Sequence, residues 1–199
     1  MIWRLIVCAV AGYLLGSISS GILLTAGTGH DIRREGSHNT GASNALRVVG
    51  LKIGLLTFAC DCLKAALSIA IGLLLLGREG GMVAGLAVII GHNWPLFFQF
   101  KGGKGIACSC AVLLLLFPVP GAISILLCVL VIALTRYISL GSMTMLVTFV
   151  VLITLTEGVW PCGVWALAIA LIGIFRHRSN ITRLLKGEEN KISFKKKES

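Results

Sequence analysis

Long apolar runs, separated by short polar stretches, limit this chain to a membrane fold. Hydrophobic residues make up 56% of the 199 residues and charged residues 13%, which is about half of the roughly 25% that soluble domains carry. A chain with so little charge cannot cover its surface for water. The sequence therefore predicts one all-α domain, a polytopic membrane helix bundle.

Seven apolar runs are interpreted as transmembrane helices, since a spanning helix needs about 20 apolar residues, with a range near 17–25. The first run resembles a signal peptide in position, but no clear cleavage site follows it. The last four runs are short, so we expect them to tilt or to extend into flanking residues. The predicted spans are Ile2–Leu24, Ile53–Leu76, Met82–Phe98, Ile106–Phe117, Gly121–Thr135, Ser142–Thr156 and Pro161–Phe175.

Positive charge is concentrated on one side of this arrangement. Four segments hold 14 of the 18 Lys and Arg residues, namely Thr25–Gly50, Gln99–Lys104, Arg136 and the basic tail Arg176–Ser199. Cytoplasmic loops of membrane proteins carry the excess of Lys and Arg. This rule predicts an N-terminus outside, a C-terminus in the cytoplasm, and every chemically interesting polar segment on the cytoplasmic face.

The stretch Gly91–Gly105 (GHNWPLFFQFKGGKG) is a predicted anion site. Its glycines let backbone N–H groups approach an anion, Lys101 and Lys104 supply positive charge, and the next helix adds the positive end of its dipole. The spacing is not that of a Walker loop. The alternative interpretation is a glycine turn with two ordinary cytoplasmic lysines, and His92 alone would more often be a core histidine.

Two segments near other predicted spans carry polar side chains suited to a phosphorylated polyol. Gly36–Arg47 (GSHNTGASNALR) offers small hydroxyl and amide groups, and Arg47 offers a planar fork that fits phosphate. The alternative is a solvated loop that caps the next helix through Asn44. In Arg136–Ser142 (RYISLGS), two serines three residues apart face the same way on a helix, although interfacial anchoring would also explain this segment.

The segment Arg176–Glu188 follows the last span directly. His177 and Asn180 share a helix face and could point into the bundle, although a basic helix on the lipid surface is the alternative. Within the second span, Asp61 and Lys64 are also three residues apart, and we interpret them as a structural ion pair. The seven cysteines lack the spacing of a zinc site and are read as free apolar thiols.

Together the four motifs resemble those of the bacterial acyl-phosphate:glycerol-3-phosphate acyltransferases. The family pattern is GSxNxGAxN, GHxxPxFxxFKGGKG, RYxSLxS and HRxNIxRLxxGxE, and it corresponds here to Gly36–Asn44, Gly91–Gly105, Arg136–Ser142 and His177–Glu188. The departures are few. In the first motif, His38, Thr40 and Ser43 replace the usual Gly, Ile and Thr. Elsewhere, Trp94 replaces a usual Phe, and Ala65 replaces a frequent Gly.

The resemblance implies a seven-span enzyme of the bacterial cell (inner) membrane with its active site facing the cytoplasm. It would transfer a fatty acyl group from acyl phosphate to the sn-1 hydroxyl of glycerol 3-phosphate, giving lysophosphatidic acid and phosphate. The lipid bilayer surrounds it, a functional link to the enzyme that makes acyl phosphate is expected, and no nucleic acid, cofactor or metal is expected. The predicted catalytic residues are Ser142, His177 and Asn180, and the predicted substrate-binding residues are Ser37, Asn39, Arg47, His92, Lys101, Lys104, Ser139 and Glu188.

The histidine spacing bears on the mechanism. None of the four histidines is followed by Asp at the fifth position, so a His base oriented by such an Asp is not available. We therefore expect direct attack of the glycerol hydroxyl on the acyl carbonyl, with His177 or a substrate phosphate taking the proton. A transporter for a phosphorylated solute is disfavoured because polarity gathers at one face rather than at the midplane. A lipid phosphotransferase is also disfavoured, because it would need clustered aspartates and a divalent metal.

Overall fold

The computed structural model describes residues 1–192, and every regular element among them is helical. Five helical stretches are long and apolar enough to cross a membrane, which confirms the predicted all-α membrane class. Residues 193–199 of the predicted tail lie outside the described residues. The helices are α1 (Ile2–Gly16), α2 (Ser20–Thr25), α3 (Ala42–Val48), α4 (Leu51–Asn93), α5 (Ile106–Leu116), α6 (Pro118–Thr135), α7 (Ile138–Glu157), α8 (Val164–Arg176) and α9 (Arg178–Leu185).

The chain forms two compact units, Met1–Gly121 and Ala122–Ser199. In the first unit, the predicted first span is a broken helix, α1 followed by α2. Glycines allow α1 to approach α4 closely, because a Cβ on Gly16 or on Gly91 would overlap backbone of the facing helix. Such small residues are typical of helix contacts in membranes.

The long helix α4 is a hairpin of two antiparallel arms rather than one continuous rod. The backbone leaves helical geometry at Leu76 and Gly77, where Gly77 has a φ of 58°. Ser68 Oγ then donates to the carbonyl of Ala84 at 3.0 Å, and Gly72 packs directly on Gly80. The gap between the predicted spans Ile53–Leu76 and Met82–Phe98 therefore holds the turn at its first residue, Gly77, and the two spans face each other.

Helix α5 is short, with 11 residues, or about 16 Å at 1.5 Å per residue. That is roughly half of the hydrocarbon thickness of a bilayer. Two thiols fix α5 against the first arm of α4: Cys62 Sγ lies 3.3 Å from the carbonyl of Ala107, and Cys108 Sγ lies 3.4 Å from the carbonyl of Asp61. All seven cysteines are free thiols.

The second unit contains most of α6 and all of α7, α8 and α9. Helix α6 begins at Pro118, so the residues between the predicted spans Ile106–Phe117 and Gly121–Thr135 belong to its first turn, where proline is well tolerated. In α7 the buried residues recur every three or four positions, and Phe149 meets Trp165 of α8 edge to face with ring centroids 6.3 Å apart. This apolar stripe fixes the two helices against each other.

Candidate active site

In the first unit, the loop that contains the first motif is organised by Asn44. Its Oδ1 accepts the N–H of Ser37 at 2.8 Å, and its Nδ2 donates to the carbonyls of Ile32 and Glu35 at 2.9 and 3.0 Å. Asn44 thus lies within α3 and holds the loop, and it does not cap the next helix. Around it, the side chains of Ser37 and Asn39 are half-buried and that of Arg47 is exposed.

The glycine loop at residues 102–105 lies on the end of α4. The N–H of Gly103 donates to the carbonyl of His92 at 3.0 Å, and a Cβ on Gly103 would overlap the His92 imidazole at Nε2. A Cβ on Gly102 would overlap the His92 carbonyl. Only glycine fits at these two positions, which explains the Gly-Gly pair physically. Lys104 is half-buried and Lys101 is exposed.

Beneath this loop, His92 belongs to a buried charged cluster with Asp61 and Lys64. The Lys64 ammonium lies 2.9 Å from Asp61 Oδ1 and 3.1 Å from His92 Nδ1, and the side chains are between 1 and 6% exposed. The predicted Asp61–Lys64 ion pair is confirmed. Its contact with His92 was missed, because the partners are 28 residues apart and only the hairpin brings them together.

This cluster also has the spacing of a metal site. Ligand atoms of Asp61, His92 and Cys108 all lie within 4.8 Å of one another, which the sequence reasoning overlooked. A cation is already built in, however, because the Lys64 ammonium contacts two of these three ligands. The donor set therefore fits an ammonium better than an additional metal ion.

In the second unit, Glu189 gathers three polar side chains of the third and fourth motifs. Its Oε1 accepts from Ser139 Oγ at 3.0 Å and from Asn180 Nδ2 at 2.7 Å, and its Oε2 accepts from Arg183 Nε at 2.7 Å. Gly187, with a φ of 72°, follows α9 in the left-handed conformation that glycine favours. The chain then turns back, which allows Glu189 to reach its own helix.

The predicted residue Glu188 is exposed, and its neighbour Glu189 is the carboxylate of this cluster. The family pattern places Glu two residues after Gly187, so a correct count along the motif would have found Glu189. Burial raises the pKa of Glu189, but the hydrogen bonds from Asn180, Arg183 and Ser139 outweigh it and hold the pKa below its ordinary value. The carboxylate is therefore ionised at neutral pH.

His177 is buried between α8 and α9, with 2% of its surface exposed. Its Nδ1 lies 2.7 Å from the carbonyl of Gly173, and because a carbonyl only accepts, Nδ1 carries the proton. In the neutral ring Nε2 is then the acceptor nitrogen. Asn180 is also buried, as the shared helix face predicts, and Ser142 Oγ donates to the carbonyl of Ile138 at 2.8 Å.

The predicted residues thus fall into groups within each unit. The first unit holds the loop with Ser37, Asn39 and Arg47, and the glycine loop with His92, Lys101 and Lys104; the second holds Ser139, Ser142, His177 and Asn180. Glu189, Arg183 and the cluster beneath His92 were not predicted as site residues. The protein is thus a helical membrane protein with glycine, lysine and arginine residues in its loops and a buried histidine whose Nδ1 faces a carbonyl.

Comparison with known proteins is consistent with this class. The sequence profile of the family described as glycerol-3-phosphate acyltransferase matches residues 6–187. A glycerol-3-phosphate acyltransferase of Thermoanaerobacter pseudethanolicus is 46% identical over 191 residues, covering 96% of both chains. One of Halalkalibacterium halodurans is 38% identical over 203 residues, covering 98% of this chain and 97% of the relative.

Two crystal structures are also similar to this chain. Both are of PlsY (YgiH), an integral membrane glycerol 3-phosphate acyltransferase. The glycerol 3-phosphate form has a TM-score of 0.89 and 35% identity, covering 95% of this chain and 96% of that one. The lysophosphatidic acid form has a TM-score of 0.85 and 34% identity, with 95% coverage of each chain. The chain belongs to the glycerol-3-phosphate acyltransferase family.

Proposed function

We propose that this protein transfers a fatty acyl group from acyl phosphate to the sn-1 hydroxyl of glycerol 3-phosphate, releasing lysophosphatidic acid and inorganic phosphate. The observation that carries the proposal is the similarity to PlsY in its glycerol 3-phosphate form, which extends over 95% of this chain. The four sequence motifs support the choice of acyl phosphate as donor. A functional link to the enzyme that makes acyl phosphate follows from this chemistry.

The reaction requires that two phosphate-bearing substrates be held while one ester bond forms. Arg47 and Lys104 bind phosphate groups, because guanidinium and ammonium groups form charge-assisted hydrogen bonds to phosphoryl oxygens. Ser37 in the first unit, and Ser142 and Asn180 in the second, offer hydroxyl and amide groups suited to glycerol 3-phosphate. Asn39, His92, Lys101 and Ser139 complete the substrate-binding set, and we assign to Glu189, rather than to Glu188, the orientation of Asn180.

The chemical step is direct attack of the glycerol oxygen on the acyl carbonyl carbon. The new C–O ester bond forms, the bond from the carbonyl carbon to the phosphate oxygen breaks, and phosphate leaves with the electron pair. His177 Nε2 is suited to accept the hydroxyl proton, because its Nδ1 faces the carbonyl of Gly173. A phosphate oxygen of the substrate is the second acceptor. Phosphate is a good leaving group, so a strong protein base is not required.

We further propose seven membrane passes in the bacterial inner membrane, with the N-terminus outside and the motifs facing the cytoplasm. The two arms of α4 count as two passes. The short helix α5 makes the seventh pass, either because the bilayer is locally thinned or because the loops that flank α5 complete the span. The positive-inside distribution of Lys and Arg supports this orientation. Cysteine accessibility in sealed vesicles tests it, with cysteines introduced at Arg33 and at Glu79.

The test of the reaction is formation of lysophosphatidic acid by the purified protein in lipid, measured with either acyl donor, together with phosphate release from acyl phosphate. Hexadecanoyl phosphate and glycerol 3-phosphate are supplied together, with and without EDTA, and hexadecanoyl-CoA replaces the acyl phosphate in a parallel reaction. The proposal predicts phosphate release that needs both substrates and is insensitive to EDTA. Equal turnover with acyl-CoA, or loss of turnover in EDTA, would contradict it.

A further inference from the structure

The starting observation is a lysine in the membrane region whose three N–H donors all have acceptors. Lys64 Nζ donates to the carbonyl of Gly16 at 3.0 Å, to the carbonyl of Ile18 at 2.7 Å, and to His92 Nδ1 at 3.1 Å. The two carbonyls lie at the break after α1, where a helix end leaves its last carbonyls without partners in the helix. The ammonium therefore connects the end of α1 with the second arm of α4.

Asp61 balances the charge of this ammonium. Its Oδ1 lies 2.9 Å from Lys64 Nζ, but no oxygen of Asp61 makes a hydrogen bond of good geometry within residues 1–192. The contact is thus an ion pair beside the three hydrogen bonds. The negative Asp61 and the positive Lys64 form a pair without net charge, which is what a buried site in a membrane requires.

The hydrogen bonds of Lys64 decide which nitrogen of His92 carries the proton. His92 Nδ1 lies 3.4 Å from Asp61 Oδ1 but nearer, 3.1 Å, to the Lys64 ammonium. Because an ammonium has three donors and no acceptor, we assign Nδ1 of His92 as the acceptor and Nε2 as the nitrogen that carries the hydrogen. Nε2 is also the imidazole atom that faces Gly103, at the position that a Gly103 side chain would fill. The N–H is therefore presented at the glycine loop, in the part of the chain to which we assign phosphate binding.

We propose that Lys64 is a positioning residue that fixes His92 as its Nε2–H tautomer, and that this N–H donates to a phosphoryl oxygen bound at the glycine loop. The inference rests on the proposed acyl transfer for the identity of the phosphate compounds. It gives His92 a donor role and gives the Asp61–Lys64 pair a function besides stability. Glycerol 3-phosphate and acyl phosphate both carry a phosphoryl group, so binding measurements with each compound show which one binds at the glycine loop.

A double-mutant cycle distinguishes a positioning role of Lys64 toward His92 from a purely structural role. The pair Asp61→Leu with Lys64→Met removes both charges together, and His92→Gln keeps an amide N–H that needs no partner to fix a tautomer. We expect the charge-removing pair to raise KM for one substrate about ten- to hundredfold, with kcat within about threefold. In the His92→Gln background the same pair should add less than about twofold. Equal factors in both backgrounds would overturn the proposal, because independent effects multiply.

Two further variants serve as controls in the same assay. Lys52→Met changes an exposed lysine of the same helix and should leave KM unchanged. His92→Asn carries an amide too short to reach the Nε2 position, so it should raise KM as the charge-removing pair does. If His92→Asn has the KM of the wild-type protein, the donor role of His92 is refuted.

A direct readout on the wild-type protein does not depend on turnover. In protein labelled with ¹⁵N-histidine and reconstituted in lipid, the His92 signals are assigned by their absence in His92→Gln. We expect Nδ1 to have the chemical shift of an unprotonated nitrogen and Nε2 that of a protonated one, with Nε2 shifting on addition of glycerol 3-phosphate or of a non-hydrolysable acyl phosphonate.

A protonated Nδ1, or an Nε2 shift that neither ligand changes, would overturn the inference even if the protein is fully active. Conversely, the expected tautomer and ligand shift in a protein that releases no phosphate from acyl phosphate would leave the inference standing. That combination would refute the proposed function alone. The two ligands together show which phosphate the glycine loop binds.

Discussion

Two carboxylate clusters in this protein have similar components but different surroundings. Asp61 lies in α4 with Lys64 and His92, and all three side chains are nearly inaccessible. Glu189 follows α9 and binds Arg183 and Asn180, with the Arg183 side chain 29% exposed. Solvent does not reach the side chains of the first cluster to compensate a lost partner, whereas in the second cluster the Arg183 side chain is open to solvent, although Glu189 is 5% exposed. The same kind of substitution should therefore have a larger effect in the first cluster.

The largest effect is expected from Lys64→Met alone. Removal of the ammonium leaves Asp61 as an uncompensated buried charge, which typically costs about 3–5 kcal/mol. Thermal unfolding in detergent measures this loss, with Lys52→Met as the matched control, expected within about 0.5 kcal/mol of the wild-type protein. Equal stability of the two variants would show that the Asp61 cluster is not as tightly coupled as its distances indicate.

Lys104 of the glycine loop and Lys101 directly before it allow a second comparison, between a half-buried and an exposed cation. Lys104→Ala should raise KM for a phosphate-bearing substrate about ten- to hundredfold, as expected for a lost charge-assisted hydrogen bond. Lys101→Ala should raise KM only a few-fold, because water screens an exposed charge. Full turnover and unchanged KM in Lys104→Ala would remove the role assigned to this lysine.

Adjacent glutamates provide a matched pair for the second cluster. Glu189→Gln removes the charge that three donors share, and we expect a loss of about 1–3 kcal/mol in the free energy of unfolding, together with a fall in kcat as Asn180 loses its orientation. Glu188→Gln changes the exposed neighbour and should be close to neutral. The assignment of Glu189 fails if the two variants have the same turnover and the same melting temperature.

Acid should weaken the second cluster through the same carboxylate. The folded-state pKa of Glu189 is lowered, so its contribution to stability is complete above the unfolded value of about 4.3 and is lost as the pH falls through the lower folded value. Melting temperatures between pH 6 and pH 3 should fall less steeply for Glu189→Gln than for Glu188→Gln. Parallel curves for the two variants would contradict this expectation.

The smallest effect concerns the first-motif loop. His38 has a φ of 55°, in the left-handed region where a side chain costs about 1–2 kcal/mol and glycine costs none. His38→Gly should therefore stabilise the protein by less than about 1 kcal/mol, since glycine also loses more backbone entropy on folding. His30→Gly should destabilise, because it removes the contact with Glu35 at 2.9 Å. Destabilisation by His38→Gly would mean that its 3.3 Å contact with the Arg33 carbonyl outweighs the strain.

Much of the fold follows from local patterns in the sequence. Apolar runs located the helices, and Gly77 located the turn of the α4 hairpin. The break at Ser17–Ser19 was not predicted, because its carbonyls are satisfied by Lys64, 46 residues further along the chain. The predicted span Gly121–Thr135 left out Pro118 and Pro120, whereas α6 begins at Pro118 because proline fits the first turn of a helix.

The candidate site was predictable where one motif holds the whole arrangement. The spacing of His177 and Asn180 predicted a shared helix face, and both residues are buried. The glycine loop was selected by its composition, and its role in binding phosphate stays a prediction. The links Ser139–Glu189 and Lys64–His92 join residues 50 and 28 positions apart. Such contacts depend on how helices pack, which residue spacing along the chain does not encode.

The most direct test of the central claim is an isotope experiment on the acyl-transfer step. Hexadecanoyl phosphate carrying ¹⁸O in the oxygen that joins carbon to phosphorus is incubated with glycerol 3-phosphate and the purified protein in lipid. The account predicts 1-hexadecanoyl lysophosphatidic acid without the label and an equal amount of phosphate with one ¹⁸O atom. Unlabelled phosphate, or an acyl group on the sn-2 hydroxyl as the first product, would contradict attack of the sn-1 hydroxyl on the acyl carbonyl.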